Sequence, residues 1–246
     1  MEDESVGVIG RDPELAAVAT FVARLGREFA QLTLEGEAGI GKTTLWREAL
    51  RQASAGGAQV LVTRPGEPEA TLSFAALGDL FEGADEGMIG RLPTPQREAI
   101  SAALLRTSTQ ARSIDERAVC ASVLSLLRLM SANGPLVIGI DDVQWLDPPS
   151  GRTLSFAVRR LQHEPVAFVM TARTGVARPV RLDRVAEPAR RSIIKVGPLS
   201  LAALHELIKQ RMNQSLSRHS RDPGRGSTAD PSTARSRSPG LNQARA

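Results

Sequence analysis

Residues 36–44 read Gly36-Glu37-Ala38-Gly39-Ile40-Gly41-Lys42-Thr43-Thr44. They match G-x-x-x-x-G-K-[ST] at every fixed position, and the residue types suit one task, cradling a chain of phosphates. Glycines at 36, 39 and 41 let the backbone turn so that successive N–H groups face one concavity. The N-terminus of a following helix adds positive partial charge behind it. In such a loop Lys42 reaches the β- and γ-phosphates, the Thr43 hydroxyl ligates magnesium, and Thr44 reaches the α-phosphate. The chemistry needs a strand before the loop and a helix after it. Gln31–Glu35 reads as that strand, and Thr43–Ala53 as an amphipathic helix closed by Gly56-Gly57. A Gly-rich loop with a stray lysine would lack this context.

A second group lies at Leu136-Val137-Ile138-Gly139-Ile140-Asp141-Asp142. An apolar run of strand length ending in a carboxylate suits a strand buried on both faces of a parallel sheet, next to the phosphate loop. Asp141 would then hold magnesium directly or through water. Asp142 is placed to polarise an attacking water as general base. The competing reading is that both carboxylates cap the next turn. Gly139 departs from the expected pattern, because it weakens the strand and leaves a gap where a large apolar residue is usual. Two readings fit Arg173, which follows the strand Val166–Thr171: a sensor of the γ-phosphate, or an ion-paired surface residue. Two also fit Pro198, which either packs on an adenine ring or opens a helix. Trp145 reads as a core or interface residue. His163, His205 and His219 are too far apart for metal-ligand spacing, and the lone Cys120 reads as a small buried hydrophobe.

These residues need a scaffold, and the hydrophobic periodicity supplies one. Val6–Ile9 is a short apolar run. Asp12 reads as an N-cap with Pro13 at the first helical position, and Gly26 stops the stripe that runs from Leu15 to Leu25. Gln59–Thr63 is a second strand. Helical stretches are expected at Ser73–Phe81, Pro95–Arg106, Asp115–Met130 and Ser150–Gln162. Ser192–Val196 is a further strand, and Ser200 caps a last helix to about Arg211. Strands alternating with helices indicate a doubly wound parallel sheet flanked by helices, and the phosphate loop at 36–44 makes the expected class an α/β P-loop NTPase fold. The domain expectation is a P-loop nucleotide-binding domain over 1–212 and a Ser-, Arg-, Pro- and Gly-rich tail over 213–246. That tail holds only Leu216 and Leu241 as large apolar side chains, too few to offset its ordering entropy, and so reads as disordered.

Composition narrows the function classes. The chain of 246 residues is long enough for one substantial core, built on Leu, Val, Ile and Ala since aromatics make up only 3%. One cysteine excludes an internal disulfide framework and a cysteine zinc site. The net charge of +4 falls in the tail, whose six arginines face two aspartates. The remaining residues balance 25 basic against 25 acidic. A neutral core argues against tight binding to nucleic acid, whose affinity rests on phosphate neutralisation. With no apolar run of about 20 residues and no leader pattern, a cytoplasmic protein without membrane contact is expected.

The ordered motifs resemble a known family. Val8-Ile9-Gly10-Arg11-Asp12-Pro13-Glu14-Leu15, the loop at 36–44, Asp141-Asp142-Val143-Gln144-Trp145-Leu146-Asp147, Thr171-Ala172-Arg173 and Gly197-Pro198-Leu199-Ser200 occur in that order. Together, over residues 6 to 212, they resemble the AAA-type ATPase module of large LuxR-family, MalT-like regulators of the STAND group. The resemblance implies ATP and Mg2+ as ligands and slow hydrolysis as the reset of a switch. It also implies an ATP-bound state that self-associates and an ADP-bound state that is closed, with Gly10-Arg11 and Pro198 flanking the adenine. No guanine-reading Asn-Lys-x-Asp pattern is evident. Members of the family continue into a lid, helical repeats and a DNA-binding helix-turn-helix. The pattern leaves this sequence near Asn213, so the expectation is a truncated regulator with a tail read out of frame. It would signal through nucleotide rather than bind DNA directly. The alternatives are a DNA-binding transcriptional regulator and a non-functional remnant.

Overall fold

The computed structural model describes residues 8–83, 86–104, 114–177 and 181–219. The chain divides into two units, 1–204 and 205–246, and the sheet and every site residue named above lie in the first. Five parallel strands build it: β1 (Ala30–Gly36), β2 (Gln59–Thr63), β3 (Leu136–Ile140), β4 (Val166–Arg173) and β5 (Arg191–Lys195). They stand in the order β2-β3-β4-β1-β5. Eight helices accompany them among the described residues: α1 (Asp12–Val22), α2 (Lys42–Ala55), α3 (Ala75–Phe81), α4 (Glu86–Gly90), α5 (Thr94–Ala103), α6 (Glu116–Ser131), α7 (Pro148–Val158) and α8 (Leu201–His219).

Strand alternation sorts the core into two layers. Leu136, Ile138 and Ile140 of β3, with Phe168, Met170 and Ala172 of β4, meet α3, α5, α6 and α7. Val137 of β3, Ala167 and Val169 of β4, and Leu32 and Leu34 of β1 meet α1 and α2 on the opposite face. A sheet covered on both faces is the doubly wound α/β arrangement expected from the sequence. Topology corrects one part of that expectation. β3 does not lie beside the phosphate-loop strand, because β4 pairs with both β3 and β1 and stands between them.

The gap expected at Gly139 is also corrected. Gly139 points to the α2 face, and a Cβ there would lie 2.7 Å from Leu50 Cδ1 and 3.0 Å from Trp46 Cζ2. The space is filled by Trp46, which is fully buried and donates its indole N–H to the Val169 carbonyl at 3.0 Å. The bare strand lets the indole cross β3 and reach β4.

Helix boundaries moved where caps decide them. Asp12 is the first residue of α1 rather than its cap, which is Arg11. α7 starts at Pro148 because the Asp147 carboxylate caps it, accepting the Ser150 N–H at 3.0 Å. Asp115 caps α6 in the same way. Ser200 caps α8 as expected, its hydroxyl accepting the Ala203 N–H at 3.2 Å. Helix α8 runs past Arg211 to His219, so the expected break near Asn213 falls within it. The expectations for Val6, for 105–106 of the Pro95–Arg106 helix, and for the tail beyond His219 lie outside the described residues.

Candidate functional site

The loop between β1 and α2 is held by two glycines with φ of 72° at Gly39 and 102° at Gly41, the left-handed region that side chains resist. Gly36 works differently from the sequence expectation. It closes β1, and a Cβ there would lie 2.7 Å from the Val196 carbonyl oxygen, so close approach rather than turning requires glycine. Helix α2 begins at Lys42 with Gly41 as its cap and no side chain closing its first turn, which leaves backbone N–H groups facing the loop.

Alternation along β3 and β4 brings the acidic and polar groups to this loop. Asp141 follows Val137 and Gly139 on the α2 face, and Thr171 and Arg173 follow Val169 on the same face. Thr43 Oγ1 donates to Asp141 Oδ1 at 3.2 Å, and Thr171 Oγ1 donates to the same oxygen at 2.7 Å. The Thr171 hydroxyl in turn accepts the Asp142 N–H at 2.6 Å. One threonine of the intervening strand therefore sets both aspartates. Asp142 has φ of 57° and ψ of 58°, a left-handed conformation that aspartate tolerates better than most residues. Its carboxylate accepts from Gln144 Nε2 at 2.8 Å and from Arg173 Nη2 at 3.4 Å. The Arg173 guanidinium also stands 5.8 Å from the Trp145 ring.

Ala38, Gly39, Gly41, Lys42, Thr43, Asp142 and Arg173 line one open cleft of about 230 Å³. That is below the roughly 300–1,000 Å³ of pockets that enclose a whole small ligand, and fits a cradle for a phosphate chain. Lys42 is 5% exposed and donates from Nζ to the Glu37 carbonyl at 2.6 Å. Burial is the main cause that holds its pKa below the ordinary lysine value of 10.5. Asp142 opposes that shift, Arg173 adds to it and Asp141 opposes it again. The cleft thus holds a buried cation, the Asp142 carboxylate and a guanidinium around backbone donors, with Asp141 behind Thr43, a set that can take a polyanion.

Thr44 is exposed at the first turn of α2. Arg11 is 5% exposed and donates to the Gly197 carbonyl at 2.6 Å and the Ile40 carbonyl at 2.7 Å, tying the first helix to the loop and to the segment carrying Pro198. Pro198 itself is exposed. Neither Arg11 nor Pro198 lines the cleft. Thr171 and Gln144 are the residues that motif reasoning did not single out as site residues. Thr171 carried a faint signal as a polar residue ending an apolar strand, while Gln144 carried none outside its place in the Asp141–Asp147 run.

Residues 7–169 match the AAA ATPase domain family. The chain is 28% identical over 197 residues to the uncharacterized protein R02095 of Rhizobium meliloti (strain 1021). That match takes in 69% of this chain and spans only 19% of the relative's length. Among solved structures, the Orc1 protein of Aeropyrum pernix, determined in complex with DNA, aligns with a TM-score of 0.51 at 18% identity. The alignment covers 85% of this chain and 50% of that one. A STAND protein with a tetratricopeptide repeat sensor from Pyrococcus horikoshii aligns with a TM-score of 0.45 at 15% identity, over 84% of this chain and 26% of that one. With the phosphate loop, the carboxylate-tipped third strand and the parallel sheet in place, the family match is decisive: the chain belongs to the AAA ATPase domain family.

Proposed function

We propose that this chain binds Mg-ATP in the cleft and acts as a slowly hydrolysing signal-transduction switch related to LuxR-family transcriptional regulators. The observation that carries the reading is convergence: Lys42, Asp142 and Arg173, from three separate segments, line the cavity that opens at the phosphate loop. Thr43 and Asp141 present two hard oxygens 3.2 Å apart, which suits Mg2+, an ion that is bound by few protein oxygens together with substrate phosphates and water. Among the described residues no cluster of three or more acidic, His or Cys side chains could hold a metal alone. Phosphate oxygens would therefore complete the set. When bound, Mg2+ neutralises charge on the β- and γ-phosphates.

Gly36, Glu37, Ala38, Gly39, Ile40 and Gly41 supply the backbone of the cradle, Lys42 the charge on the outer phosphates, and Thr44 a contact to the α-phosphate. Asp142 takes a proton from the attacking water as its oxygen bonds to the γ-phosphorus and the bond to the β-phosphate oxygen breaks, giving ADP and phosphate. Arg173 meets charge on the transferred group. Arg11 and Pro198 flank the adenine, a reading supported by the Arg11 bonds that hold the Gly197 and Ile40 carbonyls together.

The balanced charge of residues 1–213 supports signalling without direct DNA contact. No helix among the described residues is long and apolar enough to cross a membrane, which supports a cytoplasmic setting. Self-association in the ATP state completes the switch. Titration of the chain with ATP and Mg2+ tests the reading. The wild type binds, and Lys42→Ala weakens binding by about a hundredfold or more. Asp142→Asn keeps binding and loses turnover. A wild type that binds no nucleotide defeats the proposal, and unchanged hydrolysis in Asp142→Asn removes that residue from the chemistry.

A further inference from the structure

Gln144 is 2% exposed, in a position where an apolar side chain would fill the space without desolvating an amide. Both ends of that amide are engaged. Nε2 donates to Asp142 Oδ1 at 2.8 Å, and Oε1 accepts the Arg173 backbone N–H at 3.2 Å. The two contacts fix the amide's orientation, since a carboxylate needs a donor and an N–H needs an acceptor. The reason for the second contact lies in the sheet. β3 ends at Ile140, opposite Met170, while β4 runs on to Arg173. The Thr174 N–H turns to β1 and bonds the Gly36 carbonyl, so the Arg173 N–H faces the side that β3 has left. Gln144 stands there in place of a strand.

We propose that Gln144 is a positioning residue whose amide holds Asp142 and Arg173 in fixed register at the mouth of the cleft. The carboxylate and the guanidinium then meet the terminal phosphate together. The inference rests on the reading of the cleft as a triphosphate site. It goes beyond that reading by assigning the geometry of two phosphate-facing groups to one side chain that touches no phosphate. Glutamine supplies a donor at one end and an acceptor at the other with the reach for both. Glutamate would turn the Asp142 end into an opposed carboxylate, and methionine would match the shape with neither bond.

The test measures the dissociation constants of ADP and of adenylyl imidodiphosphate, a non-hydrolysable triphosphate, together with ATP turnover and the melting temperature. The full chain is compared with Gln144→Met and Gln144→Glu. ADP reports the backbone cradle, which Gln144 does not touch, so its affinity stays within about twofold. The preference for triphosphate over ADP falls by about tenfold, the scale of one hydrogen bond to a charged group, and turnover falls by at least as much. If Gln144→Met does not fold, Gln144→Glu is read alone, since it keeps the acceptor for the Arg173 N–H. Two results overturn the inference. In one, the triphosphate preference and turnover remain at wild-type values. In the other, both nucleotides weaken in parallel as the melting temperature drops, which marks a merely structural residue. A wild type that binds neither nucleotide rejects the triphosphate reading itself, and the brace with it.

Discussion

Thr171→Val removes the hydroxyl that sets both aspartates. In the native fold Oγ1 donates to Asp141 at 2.7 Å and accepts the Asp142 N–H at 2.6 Å, from a side chain with no exposed surface. Valine keeps the branched shape, so the change reports hydrogen bonding rather than a cavity. A bond to an ionised carboxylate contributes about 1.5–3 kcal/mol, and a buried N–H left without an acceptor costs about 1–3 kcal/mol. Asp141 keeps its 3.2 Å contact with Thr43 and has a little solvent access. The lower parts of those ranges therefore apply, and the loss is about 3 kcal/mol. In a domain of this size that lowers the melting temperature by roughly 6–12 °C. Thr171→Ser keeps the hydroxyl and loses only a methyl group, about 1 kcal/mol. Denaturant unfolding of the two variants beside the wild type is the assay. Equal losses for Val and Ser, or a Val variant within about 0.5 kcal/mol of wild type, would show that the hydroxyl does not organise the aspartates.

Three further expectations follow from single residues. Asp147 is 1% exposed and accepts the N–H groups of Phe74, Ala76 and Ser150, so it caps α7 and anchors α3 at once. Asp147→Ala should cost about 3–5 kcal/mol in urea unfolding, and a loss below about 1 kcal/mol refutes the double anchor. Gly139→Val drives a branched side chain into Trp46 and Leu50 and should cost about 1–3 kcal/mol, with a change in Trp46 fluorescence. An unaltered unfolding midpoint would mean that the indole has room to move. The last concerns pH. Lys42 in the free cleft has a pKa below 10.5, chiefly through burial, and only its protonated form attracts phosphate. Affinity for triphosphate should hold below that lowered pKa and fall as pH rises through it, with proton uptake on binding in that window. The ligand-free fold moves oppositely, since the cost of burying the charge is relieved as pH climbs toward 10.5. Calorimetry in buffers of different ionisation enthalpy reads the uptake, and affinity that stays flat up to 10.5 rejects the assignment.

Local interactions made part of this protein legible in its sequence. The loop at 36–44 is contiguous, and Gly39, Gly41, Lys42 and Thr43 take their places from backbone geometry and one helix end, so residue order alone specifies them, whereas Gly36 answers to the distant Val196 carbonyl. The strands Gln59–Thr63 and Leu136–Ile140 were also legible to the residue, because an apolar run bounded by turn residues has one sensible length. The charge balance and the absence of a cysteine framework needed no fold at all. What the sequence left open was decided across the sheet. The insertion of β4 between β1 and β3 is a pairing of strands far apart in the chain, and no local pattern encodes it. That insertion places Thr171 between the Asp141 carboxylate and the Asp142 backbone N–H and carries Arg173 to Asp142. Gln144 acquires meaning only because β4 outruns β3, and Gly139 only because Trp46 arrives from α2. Each depends on partners brought together by tertiary packing, where the free energy lies in contacts between segments rather than in any one segment's preference.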